Sequence, residues 1–103
     1  MNNYATDLSS QFKDKVIIVT GSTQGSGAET AKLLAHRGAK GITICGRKEK
    51  EGLEIKGDIE KIGSECIFIK ADLSKEEDCR HIVNLTDETF GKVNSLINVA
   101  GFT

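Results

Sequence analysis

The apolar run Val16-Ile17-Ile18-Val19 passes through Thr20 into Gly21-Ser22-Thr23-Gln24-Gly25-Ser26-Gly27, and a segment rich in alanine and leucine follows at once. A β-favouring run, a glycine-rich turn and a helical pattern in direct succession leave few folds open. The run is continuous rather than alternating, which suits a parallel strand covered on both faces. Glycines at 21, 25 and 27 let the backbone turn without a Cβ penalty and let a ligand approach main-chain atoms closely. The helix after the loop aims its unpaired N–H groups, and the positive end of its dipole, at the space above it. An anion suits that space.

The loop taken alone is not decisive. The dinucleotide fingerprint G-x-G-x-x-G is not strictly present, because Gly25 and Gly27 are followed by Thr30 where the third glycine is wanted. A Walker phosphate loop also fails, since Gly27 precedes Ala28-Glu29 and no lysine is placed to reach a γ-phosphate. A plain connection between strand and helix is the competing reading. The remainder of the chain separates the two.

After the loop, Ala28, Ala31, Leu34 and Ala35 recur at helical spacing over about 26–37, with Leu33 beside them and Gly38 at the expected left-handed end. A second strand is predicted over 41–45 and completes a βαβ unit, whose crossover is expected to be right-handed. Residues 48–62 are charged, with Ile55, Ile59 and Ile62 on one helical stripe and Leu53 next to it. Gly52 and Gly57 inside this helix each cost about 1 kcal/mol relative to alanine, so packing has to hold it. Gly63 ends it, and Glu65 to Ala71 reads as a third strand. Ser74-Lys75-Glu76-Glu77 has the form of a capping box, which predicts a third helix from Ser74 with Cys79, Ile82, Val83, Thr86 and Phe90 on its apolar face. Gly91 ends that helix, and 93–98 is a fourth strand. The pattern β-α-β-α-β-α-β is that of a doubly wound, Rossmann-type α/β domain with a parallel sheet.

Composition excludes several function classes. A net charge of −1 provides no basic footprint for nucleic acid. No run approaches the roughly 18 apolar residues of a membrane span, and no signal-like segment opens the chain, so a soluble cytoplasmic protein is expected. The three cysteines, Cys45, Cys66 and Cys79, lack metal-ligand or C-x-x-C spacing and read as small buried hydrophobes in a reducing compartment. His36 and His81 read as surface residues rather than ligands.

In a doubly wound sheet the ligand sits beyond the carboxyl ends of the strands. Those ends carry Gly21 to Gly27, Gly46-Arg47, Asp72-Leu73 and Asn98-Val99-Ala100-Gly101. Each is unremarkable singly: Arg47 reads as a solvated loop residue and Asp72 as a turn residue. Together they favour a binding edge.

From about Phe12 to Gly101 the chain resembles the classical short-chain dehydrogenase/reductase family. Thr20-Gly21-x-x-x-Gly25-x-Gly27 is similar to that family's cofactor loop. Asp72 falls on its adenine-contacting aspartate, and Asn98-Val99-Ala100-Gly101 is similar to its Asn-Asn-Ala-Gly motif. Ser26 stands where isoleucine is common, Asn94 where aspartate is usual, and Val99 replaces the second asparagine. The resemblance implies a strand order 3-2-1-4 and a nicotinamide dinucleotide held by Gly21, Thr23, Gly25, Ser26, Gly27, Arg47, Asp72, Leu73, Asn98, Ala100 and Gly101. It also implies a small-molecule carbonyl or alcohol substrate, and a homo-oligomeric full-length protein. Residues 1–11 are expected to be a mobile start and 12–103 a partial dinucleotide-binding domain.

At the end of the second strand an acid would accept the ribose hydroxyls and repel a 2′-phosphate, whereas arginine pairs with that phosphate. Here Gly46 takes the place of the acid and Arg47-Lys48 follows, so NADP(H) is expected over NAD(H), with Thr23 a further hydroxyl donor. The family's proton donor is a tyrosine in Tyr-x-x-x-Lys, tuned because a free phenol has a pKa of about 10. The only tyrosine, Tyr4, has Leu8 four residues on, so the catalytic apparatus has no counterpart in this sequence. The chain is therefore expected to be the cofactor-binding part of a longer reductase, inactive alone, with an open edge at its fourth strand that favours self-association or low stability. The alternatives are a non-catalytic nucleotide-binding or regulatory module and, less well matched at Val19-Thr20, a methyltransferase.

Overall fold

The computed structural model describes residues 10–23 and 25–99. Seven elements follow in order: β1 (Val16–Thr20), α1 (Gly25–His36), β2 (Gly41–Gly46), α2 (Glu49–Ile62), β3 (Glu65–Lys70), α3 (Glu76–Phe90) and β4 (Ser95–Asn98). The four strands form one parallel sheet in the order β3-β2-β1-β4. This is the doubly wound arrangement expected from the pattern.

All five residues of β1 are buried, as the unbroken apolar run requires. Alternate residues serve different layers. Ile17 and Val19 pack with Ala31, Leu34 and Ala35 of α1, Ile42 and Ile44 of β2, and Ile59 of α2. Ile18 and Cys45 point to the opposite face and meet Ile69 of β3 and Ile82 of α3. Full burial of each large aliphatic side chain contributes about 1.5–3 kcal/mol, so the β1–β2 pair carries much of the stability. On the α3 face the Thr86 hydroxyl donates to the Ile82 carbonyl at 2.7 Å and meets the Thr43 hydroxyl at 2.8 Å, leaving that buried polar pair satisfied.

Gly52 has a packing reason that helix propensity hides. A Cβ there would run into the Phe68 ring of β3, whereas one at Gly57 would meet open space. The α2–β3 contact therefore offsets the cost of Gly52 only. Leu33 and Leu53, which flank their apolar stripes in the sequence, are exposed.

The start of α3 corrects the capping-box expectation. The helix begins at Glu76 with Lys75 as N-cap and no side-chain cap bond. Ser74 instead donates its amide (3.0 Å) and its hydroxyl (2.7 Å) to Asp72 Oδ1. The Asp72 carboxylate accepts both Ser74 donors in an Asx turn, which holds the Ser74 side chain over Asp72 rather than over the helix amides. Asp78 closes the junction by accepting the Asp72 amide at 2.8 Å. Val83 is also not on the buried face, being 41 % exposed, and Cys79 is half-buried rather than buried. Among the described residues no helix is long and apolar enough to cross a membrane.

β4 occupies one edge of the sheet, and its residues are largely exposed, Leu96 included. Its register is tied at the bottom by Asn94, whose Oδ1 accepts the Val16 amide at 2.8 Å while its own amide donates to the Val16 carbonyl at 2.9 Å. An asparagine oxygen thus accepts this amide at the position where the family pattern has aspartate.

Candidate functional site

Parallel pairing puts every strand's carboxyl end on one edge. Thr20 is opposite Asn98, Val19 opposite Ile44, and Gly46 opposite Lys70. The loop after β1 crosses this edge. Gly21 and Gly25 have φ of +66° and +59°, values that a side chain disfavours. They are glycines for different further reasons. A Cβ at Gly21 would lie 2.6 Å from the Val99 carbonyl oxygen, while one at Gly25 would meet nothing within 4 Å. The loop's bare backbone at Gly25 therefore faces open space. Gly27, in the first turn of α1, lies against the Gly21 carbonyl with no room for a side chain. That contact seats the helix directly on the end of β1.

The first turn of α1 holds no acid, whereas α2 has Glu49 and Glu51 and α3 has Glu76, Glu77 and Asp78 in theirs. The positive end of the α1 dipole is thus not neutralised from within. Ser26 and Gly25 are exposed there, and the Ser26 carbonyl accepts the Thr30 hydroxyl at 2.7 Å. A backbone cradle with no Cβ above it and a helix N-terminus behind it fits the pyrophosphate of a dinucleotide.

Of the two residues beneath the loop, Ser22 was not singled out by the sequence, whereas Cys45 was read there as a small buried hydrophobe and is buried. Ser22 is fully buried; its Oγ donates to the Val19 carbonyl at 2.7 Å and accepts the Cys45 amide at 3.0 Å. It locks the loop to the ends of β1 and β2 together. Its only signal was a hydroxyl between two loop residues, which local hydrogen bonding favours. Cys45 lies on the other face of the sheet, and burial pushes its thiol up to about 11. The thiol stays protonated at neutral pH, so it is packing and not a nucleophile.

The neighbouring strand ends complete the edge. Gly21, Gly46, Arg47, Asp72, Leu73 and Ser74 line a cleft of about 360 Å³ together with Ala71. Arg47 is exposed. Asp72 is held below the ordinary aspartate value of 3.8, chiefly by the Ser74 hydroxyl and amide, with the Arg47 and Lys75 charges acting the same way. Thr23 is buried with its side chain against Gly46. Asn98 Oδ1 accepts the Thr20 hydroxyl at 2.6 Å, which ties the ends of β1 and β4. Ala100 and Gly101 lie outside the described residues.

A larger hollow of about 620 Å³ runs along α3, lined by Lys75, Glu76, Glu77, Arg80, His81 and Asn84. It is a solvated helix face, on which Arg80 and Glu76 pair at 2.7 Å while both stay largely exposed. No buried polar group converges there. Among the described residues no group of histidine, cysteine and carboxylate side chains could hold a metal ion.

A family model described as short chain dehydrogenase matches residues 15–103. An uncharacterized oxidoreductase of Bacillus subtilis is 36 % identical over 90 residues, which is 87 % of this chain and 25 % of that protein. The 11-beta-hydroxysteroid dehydrogenase A of Sesamum indicum is 35 % identical over 97 residues, 93 % of this chain and 28 % of its own length. The chain thus spans about a quarter of these two relatives. Among solved structures, an NADH-dependent reductase complexed with NAD aligns with a TM-score of 0.80 at 33 % identity, covering 90 % of this chain and 38 % of that one. A dehydrogenase/reductase of Sinorhizobium meliloti 1021 aligns with a TM-score of 0.85 at 28 % identity, covering 95 % and 39 %.

Proposed function

Since the chain belongs to the short-chain dehydrogenase family, we propose that its strand-end edge is the NADP(H) seat of an oxidoreductase acting on a small carbonyl or alcohol substrate. In this reading the pyrophosphate lies over Gly21, Gly25, Ser26 and Gly27. Asp72 and Leu73 border the adenine. Asn98, Ala100 and Gly101 lie toward the nicotinamide, which when bound supplies or accepts the hydride. The 103 residues provide cofactor binding and not the family's proton transfer, because Tyr4 is their only tyrosine and lacks the paired lysine. The homo-oligomeric state of the longer protein belongs to the same proposal.

The observation that carries the NADP(H) preference is Gly46-Arg47 at the end of β2, lining one cleft with Gly21 and Asp72. No carboxylate stands there to accept ribose hydroxyls, and an exposed guanidinium is in place for a 2′-phosphate. NAD(H) is the second reading, favoured by the likeness to the NADH-dependent reductase. Arg47→Ala separates them. Losing a charge-assisted hydrogen-bond pair of about 1.5–3 kcal/mol should weaken NADPH binding about 10- to 100-fold and leave NADH within about threefold. Equal effects on both cofactors, read by fluorescence titration, would argue for NAD(H).

A further inference from the structure

Gly46 has no conformational need to be glycine. Its φ is not among the positive values that mark Gly21, Gly25, Gly38, Gly63 and Gly91. What excludes a side chain is Thr23. A Cβ built on Gly46 would lie 2.8 Å from Thr23 Cγ2, 3.0 Å from its Oγ1 and 3.5 Å from its Cβ. Both heavy branches of the threonine therefore face the one direction in which residue 46 could grow.

Rotation does not relieve this. Threonine carries two heavy substituents and one hydrogen on Cβ, so turning χ1 by a staggered step still leaves at least one heavy atom toward Gly46. Nor can the loop lift away freely. The adjoining Ser22 donates its amide to the Cys45 carbonyl at 3.4 Å and accepts the Cys45 amide on Oγ at 3.0 Å. Thr23 is itself only 7 % exposed. The loop after β1 and the end of β2 are thus fastened one residue before the contact.

We propose that Thr23 and Gly46 form a coupled specificity pair, in which the Thr23 side chain bars an acidic residue from the end of β2 and so keeps the 2′-side of the adenosine site without a carboxylate. The inference rests on the dinucleotide reading of this edge. Cofactor preference is then set from two elements at once: the charge of Arg47 and the shape of the glycine loop. An acid at residue 46 requires a smaller side chain at residue 23.

The test is a mutant cycle in this chain, with urea unfolding as one readout and titration with AMP and with adenosine 2′,5′-bisphosphate, the adenosine ends of the two cofactors, as the other. Gly46→Asp alone should lower the urea midpoint and weaken both probes at least tenfold. Adding Thr23→Ala should recover the midpoint and give at least tenfold preference for AMP. Gly46→Asp with Thr23→Val should stay as impaired as Gly46→Asp, because valine keeps the shape and removes only the hydroxyl. Additive midpoints, or a Gly46→Asp chain that already prefers AMP, overturn the pair. Non-additive midpoints with no probe bound by any chain overturn the dinucleotide reading and, with it, the assignment of the pair to specificity.

Discussion

Gly27→Ala is expected to remove dinucleotide binding and to destabilise the chain by about 3 kcal/mol, the upper end of the usual overpacking range. The added methyl would meet the Gly21 carbonyl and lie 2.9 Å from Ser22 Cα. Both obstacles are backbone, so no rotamer change absorbs it. The first turn of α1 would have to move off the end of β1, carrying with it the N–H groups that face the open loop. Urea unfolding and NADPH titration read the two consequences. Gly25→Ala is the control for the unfolding readout alone: its methyl meets no protein atom, so its stability cost is that of holding alanine at a φ of +59°, about 1–2 kcal/mol, while the space it enters is that proposed for the pyrophosphate. Wild-type stability and binding in Gly27→Ala would show that the helix is not seated as described.

Ser22→Ala should cost about 1–3 kcal/mol, the penalty for leaving a buried donor unsatisfied. Its hydroxyl accepts the Cys45 amide and donates to the Val19 carbonyl in a fully buried position. Alanine fills the space and answers neither group. Amide hydrogen exchange at Cys45 reads this locally, with protection falling more than at Ile42 lower in the same strand. Unchanged exchange at Cys45 would mean that the Ser22 hydroxyl does not hold the loop.

The parallel layers were legible because β1 is a continuous apolar run, the pattern that suits a strand covered on both faces. The helix ends were legible at Gly38 and Gly91, whose positive φ values suit glycine. The start of α3 was not, since a Ser-x-x-Glu spacing carries no information about the acceptor two residues earlier. Asp72 accepts both the amide and the hydroxyl of Ser74. Exposure of Val83 was hidden for another reason: it neighbours Ile82 on the helix, and the sequence does not show that the buried stripe runs through Ile82, Thr86 and Phe90, with Leu85 packed beside it.

That the strand ends at Gly21, Gly46-Arg47 and Asp72-Leu73 share one cleft was legible in the sequence, and the relations inside that cleft were not. Ser22 sits between glycine and threonine with nothing local to mark it as a buried clamp. The dependence of Gly46 on Thr23 joins residues on separate elements, 23 positions apart in the sequence. Gly52 is similar, its reason being a ring on β3 rather than anything in α2. Periodicity reports which face a residue takes, but not which side chain occupies the space opposite.

The proposed function seats a dinucleotide on this edge with its 2′-phosphate toward Arg47. Titrating the isotopically labelled chain with NADPH and then NADH, and following its amide resonances, tests it most directly. NADPH is expected to bind more tightly, with the largest shifts at Gly21, Thr23, Gly25 to Gly27, Arg47, Asp72 and Leu73. Tighter NADH binding, or shifts gathered along α3 at Arg80 and His81 instead, would contradict it.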